Sequence, residues 1–133
     1  MKYIFLILIV FSFNLTSCQV KRDTNIQEDY SKIKREFKGQ WKLKSSLNEK
    51  ILVNSDSIFF DYDTSYKSSY RYKFSKNVIY LEENIQAKDE DLFLILYDEN
   101  NKIDDVFYFL GIDKNEFSLM KYSNGQVLVY VRK

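Results

Sequence analysis

The sequence predicts an all-β fold in which about eight antiparallel strands form a meander that can close into a barrel, preceded by one short helix. Three observations support this prediction. Phe and Tyr are abundant, with eleven of each, and aromatic residues favour pleated, half-buried strands. From residue 41 onward the apolar pattern has a period of two. The stretches between the apolar runs have no helical pattern, whereas parallel strands require crossovers of about a dozen or more residues, which are usually helical.

The first segment of the chain has the pattern of a secretory signal peptide. Lys2 supplies a positive charge, and residues 3–13 are almost all apolar. An apolar run of this length suits a signal peptide and is too short to span a bilayer. The run Leu-Thr-Ser-Cys at residues 15–18 then resembles the lipobox of bacterial lipoproteins, in which a leucine and two small residues precede the modified cysteine.

This resemblance implies that residues 1–17 are removed as a lipoprotein signal peptide and that the thiol of Cys18 carries acyl chains such as palmitate. Two or three acyl chains anchor a protein stably, so the expected partner of the mature chain is a membrane. Gln19 rather than aspartate follows the cysteine, and analogy with enterobacterial sorting then favours the outer membrane of the cell envelope. The alternative is a buried cysteine at the end of an uncleaved anchor.

Residues 18–38 are predicted to form a lipidated tether followed by a short helix. Ile26, Tyr30, Ile33 and Phe37 recur at spacings of four, three and four, which places them along one face of a helix over residues 27–37. Gly39 is suited to ending this helix. Because so short a helix is marginal alone, its apolar face is expected to pack on the domain that follows.

The remaining domain, residues 39–133, contains the apolar runs that predict the strands. These runs are 41–45, 58–63, 69–74, 78–81, 92–97, 106–110, 117–122 and 126–131. Asn124 and Gly125 lie between the last two runs, and Asn-Gly between alternating runs is the strongest short signal of a β-hairpin. Closure of the meander into a barrel would remove its unpaired edges. An open sandwich is the structural alternative.

Composition excludes several kinds of site. The chain has no histidine and one cysteine, which excludes Ser-His and Cys-His pairs and His-ligated metals. The formal net charge of +1 gives no basic excess that would indicate a nucleic-acid partner. Acidic pairs such as Asp104 with Asp105 are interpreted as solvated turn residues. The sequence therefore predicts no catalytic residue, no metal and no cofactor, and the protein is not expected to be an enzyme.

The run Gly39-Gln40-Trp41 resembles the Gly-x-Trp that opens the first strand of lipocalins and of small lipocalin-like bacterial lipoproteins. The context is similar, with a short helix before it, antiparallel strands after it and Arg132 near the end of the last strand. The resemblance implies a lipocalin-like β-barrel over residues 39–133, in which Arg132 lies over Trp41 and closes one end. A guanidinium stacked on an indole contributes about 0.5–2 kcal/mol.

The leading functional hypothesis is non-enzymatic binding of a small apolar or amphipathic ligand in the barrel. Eight strands enclose an interior just large enough for one small ligand or for side chains alone, so a packed interior is the alternative. The aromatic residues proposed to line the ligand site are Tyr72, Tyr80, Phe93 and Phe107.

A protein-binding role is the competing hypothesis. Small envelope lipoproteins also serve as inhibitors of lytic enzymes or as immunity proteins against secreted toxins, and they act by inserting a loop into a partner's cleft. The polar segment Asp61–Ser69, which contains Tyr62 and Tyr66, could present such a loop, because aromatic anchors dominate protein interfaces.

Overall fold

The computed structural model describes residues 24–62, 66–88 and 91–133, and the side chains of residues 24–29, 62 and 66 are outside this description. The predicted signal peptide, Cys18 and the tether up to residue 23 lie outside the described residues and stay predictions. Within the described ranges, no helix combines the length and the apolar character that crossing a membrane requires.

One helix and ten strands make up the described fold. Helix α1 covers Thr24–Phe37, so the predicted helix is confirmed and begins at Thr24 rather than at residue 27. The strands are β1 (Gly39–Leu43), β2 (Glu49–Val53), β3 (Ser57–Tyr62), β4 (Tyr66–Ser75), β5 (Asn77–Tyr80), β6 (Glu83–Gln86), β7 (Leu92–Tyr97), β8 (Ile103–Ile112), β9 (Glu116–Lys121) and β10 (Val127–Arg132).

Eight of these strands close into an antiparallel barrel in the order β1-β10-β9-β8-β7-β4-β3-β2. Trp41 of β1 lies opposite Arg132 of β10 on one side and opposite Ile51 of β2 on the other, which closes the ring. The prediction of an all-β, eight-stranded antiparallel fold with a short N-terminal helix is confirmed. The open sandwich is wrong, because the first and last strands of the chain pair with each other.

The sequence pattern does not predict β2 or β6. In β2 the exposed Leu52 lies between the buried Ile51 and Val53, so three apolar residues in a row hide the alternation. In β6 only Ile85 is buried. This strand pairs with β5, the strand predicted at residues 78–81, in a two-stranded hairpin that is separate from the barrel.

The two ends of the barrel differ. Because α1 leads directly into β1, the end where β1 begins, which also holds the β2–β3 and β8–β9 turns, is called the closed end. The opposite end, which holds the β1–β2, β7–β8 and β9–β10 turns, is called the mouth. Helix α1 lies across the closed end, where Phe37 is fully buried and Tyr30 and Ile33 pack against the core.

Aromatic side chains fill the half of the barrel next to the closed end. The ring of Phe37 meets the rings of Tyr72, Phe74, Phe109 and Phe117 edge-on, with centroid distances of 5.4, 5.6, 5.9 and 4.9 Å. Aromatic pairs of this geometry contribute about 0.5–1.5 kcal/mol beyond the area they bury. The last residue of α1 therefore fixes the helix to the barrel.

A second apolar cluster, the hairpin cluster, lies on the outer face of β7 and β8. Phe93, Ile95 and Val106 point outward there and are covered by Val78 and Ile85 of the β5–β6 hairpin. The buried members of the barrel core and of the hairpin cluster all lie between residues 37 and 130. The described part of the chain from residue 24 onward therefore contains both apolar clusters.

Candidate functional site

The half of the barrel interior next to the mouth is not filled by side chains. A cavity of about 370 Å³ remains there, near the lower end of the range of about 300–1,000 Å³ that is usual for small-ligand sites. Phe37 borders it from the closed end. Its walls are mostly aliphatic and aromatic: Leu43, Ile51, Ile58, Phe60, Tyr70, Leu94, Leu96, Phe107, Leu119 and Leu128. The interior is thus packed near the closed end and open near the mouth.

The rim of this cavity is polar. The amine of Lys121 lies 2.7 Å from a carboxylate oxygen of Asp105, and this hydrogen bond raises the pKa of Lys121. The hydroxyl of Tyr130 donates to Oε1 of Glu49 at 2.8 Å. Asp104 and Asp105, which the sequence pattern assigns to a turn, lie within β8, and Asp105 is half-buried. That interpretation is wrong for Asp105, because its partner Lys121 comes from the neighbouring strand β9.

Trp41 and Arg132 lie together at the closed end. The guanidinium of Arg132 is 4.0 Å from the centroid of the Trp41 ring, and the indole Nε1 donates to the carbonyl of Phe37 at 2.8 Å. The guanidinium also donates to two carbonyls at the end of α1 and to one in the β8–β9 turn, those of Glu36, Lys38 and Lys114. Arg132 therefore covers the indole and caps the helix at once.

Gly39 is required for this arrangement. Its φ is +131°, and a Cβ at this position would lie 2.7 Å from Nη1 of Arg132. Residues with a Cβ rarely adopt such a backbone conformation. The first residue of the Gly-x-Trp run therefore leaves room for the arginine that stacks on the third.

The structure separates the four aromatic residues predicted to line the ligand site. Phe107 borders the cavity. Tyr72 points into the barrel but lies nearer the closed end, in contact with Phe37 and Phe74. Tyr80 and Phe93 belong to the hairpin cluster outside the barrel. The prediction that these two residues line the ligand site is therefore wrong. Tyr80 belongs to the β5–β6 hairpin, which is separate from the barrel. Phe93 lies on the outer face of β7, which this hairpin covers.

Aliphatic residues that the sequence analysis does not single out line most of the cavity. On β7 the inward-facing Leu94 and Leu96 alternate with the outward-facing Phe93 and Ile95, and all four are buried, so alternation alone cannot separate them. For β10, by contrast, the sequence does contain a signal that shows which residues face the interior. Because Arg132 pairs with Trp41, the residue four positions earlier, Leu128, shares the inward face.

Tyr72 gives the domain a specific sensitivity to alkaline pH. Burial, and next the Asp56 carboxylate, raise the pKa of Tyr72 from 10.0 to about 12, and its hydroxyl donates to the carbonyl of Asn54 at 2.9 Å. Between these two pH values the unfolded chain loses the proton and the folded chain keeps it. The stabilisation is therefore complete below pH 10 and is lost as the pH rises towards 12, and each unit of pKa shift corresponds to about 1.4 kcal/mol.

The Tyr72→Phe variant should lack this pH dependence, because phenylalanine has no proton to lose. We expect the free energy of unfolding of the wild type to fall more steeply between pH 10 and 12 than that of the variant. Urea unfolding at a series of pH values measures both slopes. Tyr122→Phe, which removes one hydroxyl from a partly buried ring next to the hairpin cluster, is the matched control. Equal slopes for the wild type and Tyr72→Phe would contradict the prediction.

A second concave surface, the outer wall, lies on the outside of β1, β2, β3 and β4. It encloses about 550 Å³. Leu52 and Phe59 are 40% and 42% exposed there, and Lys50, Asp61 and Lys67 border them. The last two belong to the segment 61–69 that is proposed as a protein-binding loop. Residues 63–65 and the side chains of Tyr62 and Tyr66 lie outside the described residues.

Comparison of the chain with protein-family models, with curated proteins and with solved structures found no significant match. The class of protein is thus described by its fold and its cavity alone. It is a closed eight-stranded antiparallel barrel with a helix across one end and an apolar cavity with a polar rim at the other. In the part of the chain that the structure describes, no group of three or more acidic or cysteine side chains is positioned to hold a metal ion.

Proposed function

We propose that the protein is a membrane-anchored lipoprotein of the bacterial cell envelope whose lipocalin-like barrel binds a small apolar or amphipathic molecule without catalysing a reaction. The cavity at the mouth, with its apolar walls and polar rim, carries the ligand-binding part of this proposal. Sites of this kind bury the apolar part of a ligand and orient the ligand with a few polar groups. The anchoring part rests on the resemblance of residues 15–18 to a lipobox.

The shape and chemistry of the cavity favour an amphipathic ligand that enters with its apolar end first. Leu94 and Phe107 lie inside the rim, where each buried CH₂ group contributes about 0.8 kcal/mol. The charged residues of the rim are Glu49, Asp104, Asp105 and Lys121, and the amine of Lys121 already pairs with Asp105. An ammonium or hydroxyl head group therefore fits this rim better than a carboxylate, because juxtaposed like charges repel.

Filling the cavity tests the proposal directly. In Leu128→Trp an indole replaces an inward-facing leucine of the wall, so the affinity for decylamine, measured by titration calorimetry, should fall at least about tenfold, or about 1.4 kcal/mol. Val127→Trp is the matched control, because Val127 precedes Leu128 on β10 and is 54% exposed. That variant should bind decylamine like the wild type.

Decanol and decanoate, which share the same alkyl chain, separate the contribution of the head group. Decanol should bind, and decanoate should bind more weakly than decylamine. The proposal is wrong if the wild type binds none of the three, or if Leu128→Trp binds decylamine as tightly as the wild type does. If the wild type does bind decylamine, native mass spectrometry of protein purified from its host would identify the natural ligand.

A second candidate function is inhibition of, or immunity against, a secreted or periplasmic enzyme or toxin. The observation that favours it is the outer wall, where the exposed Leu52 and Phe59 lie beside the segment 61–69. Partly exposed aromatic residues are common anchors of protein interfaces. Recovery of a single hydrolase or toxin on the immobilised protein would favour this function over the binding of a small ligand.

A further inference from the structure

The inward face of β2 carries one charged side chain. Alternation along the strand places Glu49, Ile51 and Val53 on the same face. Ile51 and Val53 are buried, whereas Glu49, the first residue of the strand, is half-buried and borders the cavity. A carboxylate at a position that faces the core departs from the local pattern of the strand, and such departures are expected at functional sites.

Glu49 is held in place through both its side chain and its main chain. The hydroxyl of Tyr130, a residue that is only 1% exposed, donates to Oε1 of Glu49 at 2.8 Å. The main-chain N–H of Glu49 donates to the hydroxyl of Ser46 at 3.2 Å. A buried tyrosine thus orients the carboxylate, but a neutral hydroxyl does not compensate its negative charge.

The lysines that are close to Glu49 in the sequence do not supply a counter-ion. The amine of Lys44 pairs with Glu116 at 3.2 Å, and Lys50 borders the outer wall on the other face of the strand. Within the described ranges, no basic side chain forms an ion pair with Glu49. The carboxylate therefore lies at the edge of an apolar cavity without a positive partner.

The other charged groups of the rim lie across the cavity from Glu49. In the closed ring, β1, β10 and β9 separate β2 from β8 on one side, and β3, β4 and β7 separate them on the other. Asp105 of β8 pairs with Lys121 of β9, and the exposed Asp104 precedes Asp105 on the same strand. A head group bound at Glu49 would therefore leave the existing ion pair intact.

We propose that the cavity selects a primary amine with an apolar chain, whose ammonium group donates a hydrogen bond to the Glu49 carboxylate that Tyr130 orients. The alkyl chain then extends along the apolar walls towards Phe37. This inference rests on the proposed binding function and names the residue that selects the head group. Hydrogen bonds between ionised groups are about twice as strong as those between neutral groups.

A neutral head group suits Glu49 less well than an ammonium group does. A hydroxyl can donate to the carboxylate, but it leaves the negative charge uncompensated. An unpaired charge is costly where a bound ligand excludes water. The affinity for an amine relative to that for the corresponding alcohol therefore reports the contribution of Glu49.

The variant Glu49→Gln tests this contribution. Glutamine keeps a carbonyl oxygen that can accept the hydrogen bond from Tyr130, but it has no charge. Titration calorimetry with decylamine and with decanol gives the ratio of the two affinities. This ratio should fall at least about tenfold in the variant, while the affinity for decanol should change little. A merely structural role of Glu49 would weaken both ligands, which share one alkyl chain, and leave the ratio unchanged.

Asp104→Asn is the matched control, because it removes the same charge from the other side of the rim. Asp104 is exposed to water, so this variant should keep most of the preference for decylamine. Equal losses in the two variants would show that the overall charge of the rim, rather than Glu49, attracts the amine. That result would overturn the inference.

Tyr130→Phe is a second variant, which keeps the inference testable if Glu49→Gln does not fold. It retains the buried ring and removes the hydroxyl that orients Glu49. The ratio of the affinities for decylamine and decanol should fall, but by less than in Glu49→Gln. An unchanged ratio in Tyr130→Phe would show that the hydroxyl does not position the carboxylate for the ligand.

Decyltrimethylammonium tests the hydrogen bond, because it has the charge and the alkyl chain of decylamine but no N–H group. The wild type should bind it more weakly than decylamine, and equal affinities would overturn the hydrogen bond to Glu49. A wild type that binds decanol but not decylamine, or a Glu49→Gln variant with an unchanged ratio, would contradict the inference and leave the binding function standing. Binding of neither ligand would instead contradict the proposed function itself.

Discussion

Replacing Phe37 with alanine is expected to lower the free energy of unfolding by about 3–5 kcal/mol, because the change removes a large side chain from a packed interior. Phe37 has no exposed surface, and its ring contacts four other aromatic rings, of which Phe117 is nearest at 4.9 Å. Its carbonyl also accepts the hydrogen bond from the Trp41 indole. The cavity left by alanine would lie where the helix joins the barrel, so the helix and the closed end should be destabilised together.

Urea unfolding followed by Trp41 fluorescence measures this loss, since the indole is buried beside the mutated site. Arg35→Ala is the matched control on the same helix, because Arg35 is exposed and surface changes of this kind usually alter stability by no more than about 0.5 kcal/mol. A typical domain is stable by about 5–15 kcal/mol, so the variant should still fold. A loss below about 1 kcal/mol would mean that α1 is not docked on the barrel.

The parts of the fold that the sequence predicts are those set by a few neighbouring residues. The spacing of Tyr30, Ile33 and Phe37 predicts both α1 and its buried face, and all three pack on the core. Asn124 and Gly125 predict the turn between β9 and β10, where Gly125 has a φ of +70°. Each of these signals depends on local backbone preference and needs no knowledge of the strands that lie elsewhere.

The lining of the cavity depends on contacts between distant residues, and this is why the sequence predicts it poorly. The β5–β6 hairpin covers the outer face of β7, so both faces of that strand are buried. The pairing of β8 with β9 shifts between Phe109 and Gly111, and one extra residue reverses which side chains point inward. The alternation of apolar and polar residues therefore does not show, for β7 or for β8, which side chains point into the barrel unless the neighbouring strands are known. Of the four aromatic residues proposed as lining, only Phe107 therefore borders the cavity.

The rim shows the same dependence on pairing across strands. Asp105 and Lys121 belong to β8 and β9 and meet at 2.7 Å, whereas the sequence alone favours a solvated turn for an Asp-Asp pair. The contact between Trp41 and Arg132 also joins two residues that are far apart in the sequence, in the first and the last strand of the barrel. It differs from the rim pair because the Gly-x-Trp resemblance names both residues before the fold is known. A family motif can thus indicate a distant contact that periodicity cannot.

In the chain that begins at Met1, Cys18→Ser is expected to abolish incorporation of palmitate and to leave the leader attached. Cys18 lies outside the described residues and is the single cysteine of the chain. Transfer of the lipid needs a sulfur nucleophile, and the thiolate is the reactive form of cysteine. A serine hydroxyl is a weak nucleophile unless a neighbouring base activates it, so the substitution should remove the modification completely.

Radiolabelled palmitate and the mass of the membrane-bound protein decide the outcome. The wild type should carry label and lack residues 1–17, whereas Cys18→Ser should be unlabelled and keep its leader. Ser17→Ala is the matched control, because alanine preserves the small residue before the cysteine and should be labelled and cleaved normally. An unlabelled wild type that keeps its leader would show that residues 3–13 act as an uncleaved anchor.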